Sequence, residues 1–322
     1  MKRDLRIIFM GTPQFAVPSL ESLIDNGFNV VGVITAPDKP AGRGREIEFS
    51  EVKQFAVKAK LPLLQPVNLK DNKFIKEFAA LKPNLGIVVA FRMLPEEIWS
   101  FPEFGTFNLH ASLLPQYRGA APINHAIING EKVTGLTTFF IKHEIDTGKI
   151  IFRNPIKIGE QETYGELHDR MMLTGAELVL KTAFAIQDNS YDLISQSDLI
   201  TTDEIIKSAP KISKADCRIN WNSKSVTIYN LIRGLNPVPA AFTVLSGPNN
   251  EEIQLKIFKA SYKMLTHDHK PGEIFITSEK QIATFTSDGT LTIEELQMAG
   301  KKRLQVKDFL NGFPITPKWK MH

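Results

Sequence analysis

Cysteine is almost absent from this sequence. Cys217 is the only thiol among 322 residues, so the chain cannot form an internal disulfide. No combination of cysteine and histidine has the spacing of a zinc site either. We therefore expect neither disulfides nor a structural metal to stabilise the fold.

Long apolar runs are missing as well. No uninterrupted apolar stretch reaches the roughly 18–20 residues that a membrane helix needs. Segment 1–10 carries charge and then a short apolar run that stops at Gly11, which is too short for a signal peptide and predicts a first strand. We expect a cytoplasmic protein without a membrane segment.

The sequence also lacks a strong charge of either sign. Its net charge of +4 is too small to indicate nucleic-acid binding by itself. Between Lys207 and Asn236, however, six basic residues stand against a single acid, Asp216. Such a stripe attracts phosphate groups, although a solvated lysine-rich surface produces the same pattern.

The composition is that of an ordinary globular protein, with 43% hydrophobic and 23% charged residues. Because domains usually contain about 100–200 residues, the length predicts two of them. We expect a first domain at 1–190, a polar linker at 191–208 and a second domain at 209–322.

The first domain alternates short runs rich in Ile, Val and Phe with segments of helical periodicity. Strands are predicted at 5–10, 29–35, 85–91, 106–110, 135–141 and 149–158, and helices at 18–26, 50–60, 70–81 and 162–187. Continuous apolar runs suit strands that are buried on both faces. The order therefore predicts an α/β fold with a doubly wound, mainly parallel sheet.

The second domain has a different pattern. One helix is predicted at 225–233, and short strands separated by turn residues follow at 241–245, 253–260, 272–277, 282–286 and 290–296. Several short strands at regular spacing are typical of a small barrel, so we expect an OB-like β-barrel.

The loop after the first strand does not have a nucleotide-binding sequence. Pro13 and Ala16 stand where the G-x-G-x-x-G motif has glycine, and no G-K-[S/T] follows Gly11. A dinucleotide needs close backbone approach at those positions, so a nicotinamide cofactor is disfavoured, and so is a P-loop.

Polar side chains follow two of the predicted strands, at the edge where open α/β sheets bind ligands. Asn108 and His110 are two residues apart on an extended chain, so both project to the same face. A carboxamide can donate to an oxyanion, and an imidazole can carry protons near neutral pH. Asp146 follows another strand and could orient His110.

From the residues alone, other interpretations of these side chains stay open. A lone histidine at a strand end is more often structural or exposed. Asn108 could be a turn residue, and Asp146 could form an Asx-turn before Gly148. His143 competes with His110 for the role of the imidazole.

Together, these segments resemble the 10-formyltetrahydrofolate-dependent formyltransferases. The resemblance spans nearly the whole chain. It includes 7–13, 40–45, 108–115, 118–123 and 146–148 in the first domain and 211–214, 219–221, 232–233, 236–237 and 299–302 in the second. It implies that Asn108, His110 and Asp146 are the catalytic residues.

The resemblance also implies a folate site. Its expected contacts are Val89, Ala90, Phe91, Arg92, Leu94, Ser112, Leu113, Leu114 and Pro115. Residues 90–92 read Ala-Phe-Arg where the family usually has Ala-Tyr-Gly. Arg92 could therefore contact the acidic tail of the folate or point to solvent.

The resemblance further implies a second, macromolecular substrate, because the family's insertion loop maps onto 38–49 and the second domain is basic. The resemblance implies that the formyl acceptor is methionine esterified to initiator tRNA, so that the product serves translation initiation. The expected tRNA contacts are Arg43, Arg45, Lys207, Lys211, Lys214, Lys301, Lys302 and Arg303. We expect a monomer that uses 10-formyltetrahydrofolate as donor substrate and no metal.

Three alternatives are weaker. A formyltransferase or hydrolase with another acceptor, such as a sugar-nucleotide amine or a purine precursor, would not need the loop at Arg43 or the basic second domain. A non-enzymatic RNA-binding protein would not need Asn108, His110 and Asp146 together. A nicotinamide-linked reductase conflicts with Pro13.

Overall fold

The computed structural model describes residues 2–41, 46–201, 205–249, 251–316 and 318–322. The chain divides into two compact units. The first contains Met1–Gly119, Thr134–Ile156 and His168–Ala209, and the second contains Ala120–Val133, Lys157–Leu167 and Pro210–His322. Two short segments before residue 170 thus belong to the same unit as the C-terminal part of the chain.

The helices and the strands up to residue 209 have the following bounds. The helices are α1 (Val17–Asp25), α2 (Glu51–Lys58), α3 (Asn72–Ala80), α4 (Glu96–Trp99), α5 (Pro122–Ile128), α6 (Tyr164–Asp188), α7 (Ser225–Leu235) and α8 (Val306–Gly312). The strands are β1 (Arg6–Gly11), β2 (Asn29–Ile34), β3 (Lys39–Ala41), β4 (Glu46–Glu48), β5 (Leu63–Leu64), β6 (Leu85–Val89), β7 (Thr106–His110), β8 (Arg118–Gly119), β9 (Val133–Phe140), β10 (Ile150–Lys157) and β11 (Ser208–Ala209).

The main sheet has the strand order β10-β9-β7-β6-β1-β2-β5. The five strands from β7 to β5 pair in parallel, and β9 pairs with β7 in the antiparallel direction. The expected doubly wound, mainly parallel α/β sheet is therefore confirmed. All parallel strands end at the same edge, so the residues that follow them are brought together there.

Burial on both faces explains why β1 reads as a continuous apolar run. Ile8 and Met10 pack with Phe74 and Phe78 of α3 on one face of the sheet. On the other face, Leu109 of β7 approaches Gly175 of α6 so closely that a methyl group at position 175 would crowd it. Side chains at alternate positions along each strand therefore enter different cores.

Capping side chains fix where two of these helices begin. The Ser50 hydroxyl accepts a hydrogen bond from the Lys53 amide at the start of α2. The Asp71 carboxylate accepts from the amides of Lys73 and Phe74 at the start of α3. Each cap satisfies amides that have no partner within the helix, so the helix starts at a defined residue.

The second unit contains an antiparallel barrel. Its strands are β12 (Ala241–Ser246), β13 (Glu252–Met264), β14 (Ile274–Ile276), β15 (Ile282–Phe285), β16 (Gly289–Met298), β17 (Arg303–Gln305) and β18 (Lys320–Met321). Six of them follow the order β14-β15-β16-β13-β12-β18, and β17 pairs with β16. A bridge between Glu273, which precedes β14, and Lys320 of β18 joins the two ends. The expected OB-like barrel is confirmed, and it is nearly closed.

A mainly apolar core fills the barrel unit. Leu255, Ile257 and Ile293 are fully buried and pack with Trp221. The Trp221 indole donates a hydrogen bond of 2.9 Å to Thr243 Oγ1, so its one polar atom is satisfied inside the core. None of the helices in the described residues is both long enough and apolar enough to cross a bilayer.

Several elements are not predicted from the sequence. The strands β5, β8, β11 and β18 contain two residues each, which is too short for any periodicity. Helix α5 has seven residues and α4 has four, so neither completes a recognisable apolar stripe. These elements depend on contacts with residues that are distant in the sequence.

Candidate active site

The two polar residues of β7 lie where the parallel strands end. Asn108 pairs with Val88 of β6, and Val88 pairs with Met10 of β1, so Asn108 lies on the face of the sheet that α3 covers. His110, two residues later, is on the same face. His110 is buried, whereas Asn108 is partly exposed and can reach a ligand.

A main-chain carbonyl determines which nitrogen of His110 can react. His110 Nε2 lies 2.9 Å from the Tyr117 carbonyl oxygen. Because a carbonyl oxygen only accepts hydrogen bonds, Nε2 carries a hydrogen in this arrangement. Nδ1 is therefore the nitrogen that can gain or lose a proton.

Asp146 faces that nitrogen. Its Oδ2 atom lies 3.8 Å from His110 Nδ1 and accepts a hydrogen bond of 3.0 Å from the Gly119 amide. The distance between Nδ1 and Oδ2 is longer than a hydrogen bond, so the carboxylate acts on the ring as a nearby charge. The structure thus brings Asn108, His110 and Asp146 to one edge of the sheet.

The turn that carries Asp146 is constrained by its main-chain conformation and by close packing. Asp146 has a φ of +53°, in the left-handed region that non-glycine residues rarely adopt. A Cβ atom at Gly148 would overlap the carbonyl oxygen of Phe140. This close approach explains physically why a glycine ends the Asp-Thr-Gly segment.

The other candidate histidine lies differently. His143 is exposed, whereas the side chain of His110 is only 6% exposed and meets the ring of Phe139 edge-on at 6.5 Å. An enclosed imidazole beside a carboxylate is better suited to proton transfer than a solvated one, because its partner and orientation are fixed.

The predicted folate segment at 112–115 is a tightly held loop. The Ser112 hydroxyl donates to the Gln116 carbonyl at 2.6 Å. Thr137 Oγ1 donates to the Ser112 carbonyl at 2.7 Å and accepts from the Leu114 amide at 3.2 Å. Ser112, Leu114 and Pro115 are buried, and Leu113 is partly exposed. Their contact with folate stays a prediction.

The second predicted folate segment, 89–94, crosses the end of β6. Val89 is buried, Phe91 and Leu94 are partly exposed, and Ala90 has a φ of +49°. The Arg92 guanidinium donates to the carbonyls of Pro66 and Val67, and partial burial lowers the pKa of Arg92. Arg92 is exposed and joins its own loop to the main chain at residues 66 and 67, and its contact with folate stays a prediction.

The predicted tRNA contacts fall in several places. Arg43 and Arg45 lie outside the described residues. Lys207 belongs to the first unit, where its carbonyl accepts from the Tyr117 amide at 2.7 Å. The contacts expected in the second unit are all exposed: Lys211, Lys214, Lys301, Lys302 and Arg303.

A local partner reduces the charge of one of these expected contacts. Arg303 pairs with the Glu295 carboxylate at 2.5 Å and lies over the Phe258 ring at 4.2 Å, so its charge is partly neutralised.

Near the β3–β4 hairpin, hydrogen bonds from Lys53 and Gln65 lower the pKa of Asp38. Within the described part of the chain, no group of three His, Cys, Asp or Glu residues could hold a metal ion.

Comparison with known proteins agrees with this fold. Residues 5–182 match the family described as formyl transferase, and residues 211–314 match the formyl transferase C-terminal domain. The first match alone spans more than half of the chain. The chain therefore belongs to the formyl transferase family.

Full-length relatives within that family have a more specific name. A Bacteroides thetaiotaomicron protein named methionyl-tRNA formyltransferase is 49% identical over 321 residues, which cover 100% of this chain and 99% of the relative. A Parabacteroides distasonis protein of the same name is 50% identical over 313 residues, which cover 97% of each chain.

Solved structures share the fold at lower identity. The sugar 3N-formyl transferase WlaRD, crystallised with dTDP and 5-N-formyl-THF, is 22% identical, with a TM-score of 0.63 over 93% of this chain and 100% of its own. HypX from Aquifex aeolicus in complex with tetrahydrofolic acid is 18% identical, with a TM-score of 0.59 over 97% of this chain and 48% of its own.

Replacing Gly148 with alanine is expected to displace the turn that carries Asp146, because the added methyl group would overlap the Phe140 carbonyl. We expect the free energy of unfolding to fall by about 1–3 kcal/mol, measured by urea denaturation. Gly312→Ala is the matched control, since a Cβ atom there meets nothing within 4 Å. Equal stabilities of the two variants would contradict this account of the turn.

Proposed function

We propose that this chain transfers the formyl group of 10-formyltetrahydrofolate to the α-amino group of methionine on initiator methionyl-tRNA. The product, N-formylmethionyl-tRNA, serves translation initiation. The observation that carries the proposal is the grouping of Asn108, His110 and Asp146 at the sheet edge. The chain that carries this group has full-length relatives named methionyl-tRNA formyltransferase. A cytoplasmic location and a monomeric state are part of the same proposal.

Asn108 is proposed to stabilise the charge that develops during the transfer. When the methionine amine adds to the formyl carbon, the formyl oxygen becomes negative. The carboxamide of Asn108 is partly exposed at the end of β7 and can donate a hydrogen bond to this oxygen. Such a donor is worth more in an enclosed site than in water, because no solvent has to reorient.

His110 is proposed to move the proton. The attacking amine must be neutral, and α-amino groups titrate near about pH 8. As the amine adds, it loses a proton, which Nδ1 can accept because Nε2 already donates to Tyr117. The imidazolium then gives this proton to the departing folate nitrogen, so one C–N bond forms and another breaks with no net proton change.

Asp146 is proposed to stabilise the charged form of His110. Its carboxylate lies 3.8 Å from Nδ1, so it lowers the energy of the imidazolium that exists between the two proton transfers. The transfer changes no oxidation state, and the proposal assigns no step to a metal. The folate is expected to lie along 89–94 and 112–115, beside these three residues.

The tRNA is proposed to bind through its phosphates. The exposed lysines at 211, 214, 301 and 302 offer charges to the tRNA backbone, and Lys207, Arg303, Arg43 and Arg45 are further expected contacts. Contacts of this kind position a nucleic acid without reading its sequence. The affinity should therefore fall steeply as the salt concentration rises.

Replacing Asn108 with alanine is expected to lower kcat by about 10²–10³, because it removes one donor to the developing oxyanion. The melting temperature should stay close to that of the wild type, since this side chain is partly exposed. The measurement is transfer of labelled formyl groups to methionyl-tRNA, with the exposed Asn222→Ala as control. Turnover at the wild-type level would contradict the role assigned to Asn108.

Replacing Lys301 and Lys302 together with glutamine is expected to weaken tRNA binding and to leave kcat unchanged at saturating tRNA. The slope of log K against log salt should fall by about 0.7–0.9 for each phosphate that the variant no longer neutralises. The control is Lys76→Gln, an exposed lysine on α3. If both variants have the wild-type slope, these two lysines do not bind the tRNA.

A further inference from the structure

We propose that Gln196 is a positioning residue that sets the distance between Asp146 and His110. This inference rests on the proposed function, which gives Asp146 and His110 their catalytic roles. Gln196 lies within the segment 191–208, which the sequence indicates is only a polar linker. Its side chain nevertheless contacts the main chain of the turn that carries Asp146.

The carboxamide of Gln196 is buried and fully satisfied. Gln196 is 3% exposed and begins a short 3-10 turn, Gln196–Leu199. Its Nε2 atom donates to the carbonyls of Asp146 and Gly148, each at 2.9 Å. Both amide hydrogens are therefore used to hold the turn from one side.

Arg118 determines the orientation of this carboxamide. Its Nε and Nη2 atoms donate to Gln196 Oε1 at 3.1 and 2.6 Å. A guanidinium group can only donate, so it must face the oxygen of the amide. The amide nitrogen is then directed towards the carbonyls of residues 146 and 148.

The residue after Arg118 completes the arrangement. The Gly119 amide donates directly to Asp146 Oδ2 at 3.0 Å. Strand β8 therefore holds Asp146 twice, through Gly119 at the carboxylate and through Arg118 and Gln196 at the main chain. The same carboxylate oxygen lies 3.8 Å from His110 Nδ1, so this network determines that distance.

The chain around Gln196 is anchored on both sides. Ile194 and Ile150 exchange two main-chain hydrogen bonds of 2.9 and 3.0 Å. Further along, β11 pairs with β8 at Ser208 and Ala209. A buried side chain between two anchors keeps one position, which is what a positioning residue requires.

The network is needed because the main-chain conformation of Asp146 is unfavourable. A non-glycine residue at a φ of +53° is in a sparsely populated region and stays there only where its surroundings hold it. Without the two bonds from Gln196, the turn can relax towards a commoner conformation. The carboxylate would then move relative to Nδ1, and displacements of about 1 Å can cost about 10²-fold in rate.

The test replaces Gln196 with methionine, which keeps the volume of the side chain and removes all four hydrogen bonds. We expect kcat to fall by about 10-fold to 10²-fold, with the KM of each substrate within about twofold of the wild type. In an Asp146→Ala background the same replacement should have no further effect on kcat, because both changes act through one carboxylate. Ser197→Ala, on the same turn, is the control.

A second readout is independent of activity. The amide resonance of Gly119, which donates to Asp146, should shift in Gln196→Met and stay unchanged in Ser197→Ala. If the wild-type protein does not formylate methionyl-tRNA but this resonance shifts, the proposed function fails and the positioning role stands. Two outcomes would overturn the positioning role. One is an unchanged Gly119 resonance, and the other is that Gln196→Met lowers kcat by the same factor in the wild-type and Asp146→Ala backgrounds.

Discussion

The hydrogen bond between His110 Nε2 and the Tyr117 carbonyl is the interaction on which the site depends. It leaves Nδ1 as the only ring nitrogen free to exchange a proton, and Nδ1 is the nitrogen that faces Asp146. Tyr117 can present its carbonyl in this way because it adopts a φ of +59°, while its amide is held by the Lys207 carbonyl. A contact with residue 207 thus helps to define the chemistry at residue 110.

The sheet supplies the rigidity that such a site needs. Asn108 and His110 extend from a strand that is paired on both sides, with β6 in parallel and β9 in the antiparallel direction. Strand residues of this kind have little freedom, so a partly exposed carboxamide and a buried imidazole keep a fixed separation. Asp146, by contrast, lies in a turn and depends on Gly119, on Gly148 and, as we propose, on Gln196.

The sequence predicts the parts of the structure that repeat locally. Buried strands appear as apolar runs, and the two-residue period alone places Asn108 and His110 on one face. Tyr117 and Gln196 leave no such signal, because their contacts join residues that are far apart in the chain. The same limit applies to Arg92, whose bonds to the carbonyls at 66 and 67 depend on how two loops meet. Residues 191–208 are predicted to be a linker because a polar composition indicates solvent contact for the segment as a whole. It does not reveal that one glutamine within the segment is buried.

The central claim is that His110, and not His143, moves the proton during formyl transfer to methionyl-tRNA. The most direct measurement is transfer of labelled formyl from 10-formyltetrahydrofolate to methionyl-tRNA by the wild type, His110→Ala and His143→Ala. The account predicts transfer by the wild type and by His143→Ala, and a loss of about 10²–10⁴-fold in His110→Ala. Undiminished transfer by His110→Ala, or tRNA binding without any transfer by the wild type, would contradict it.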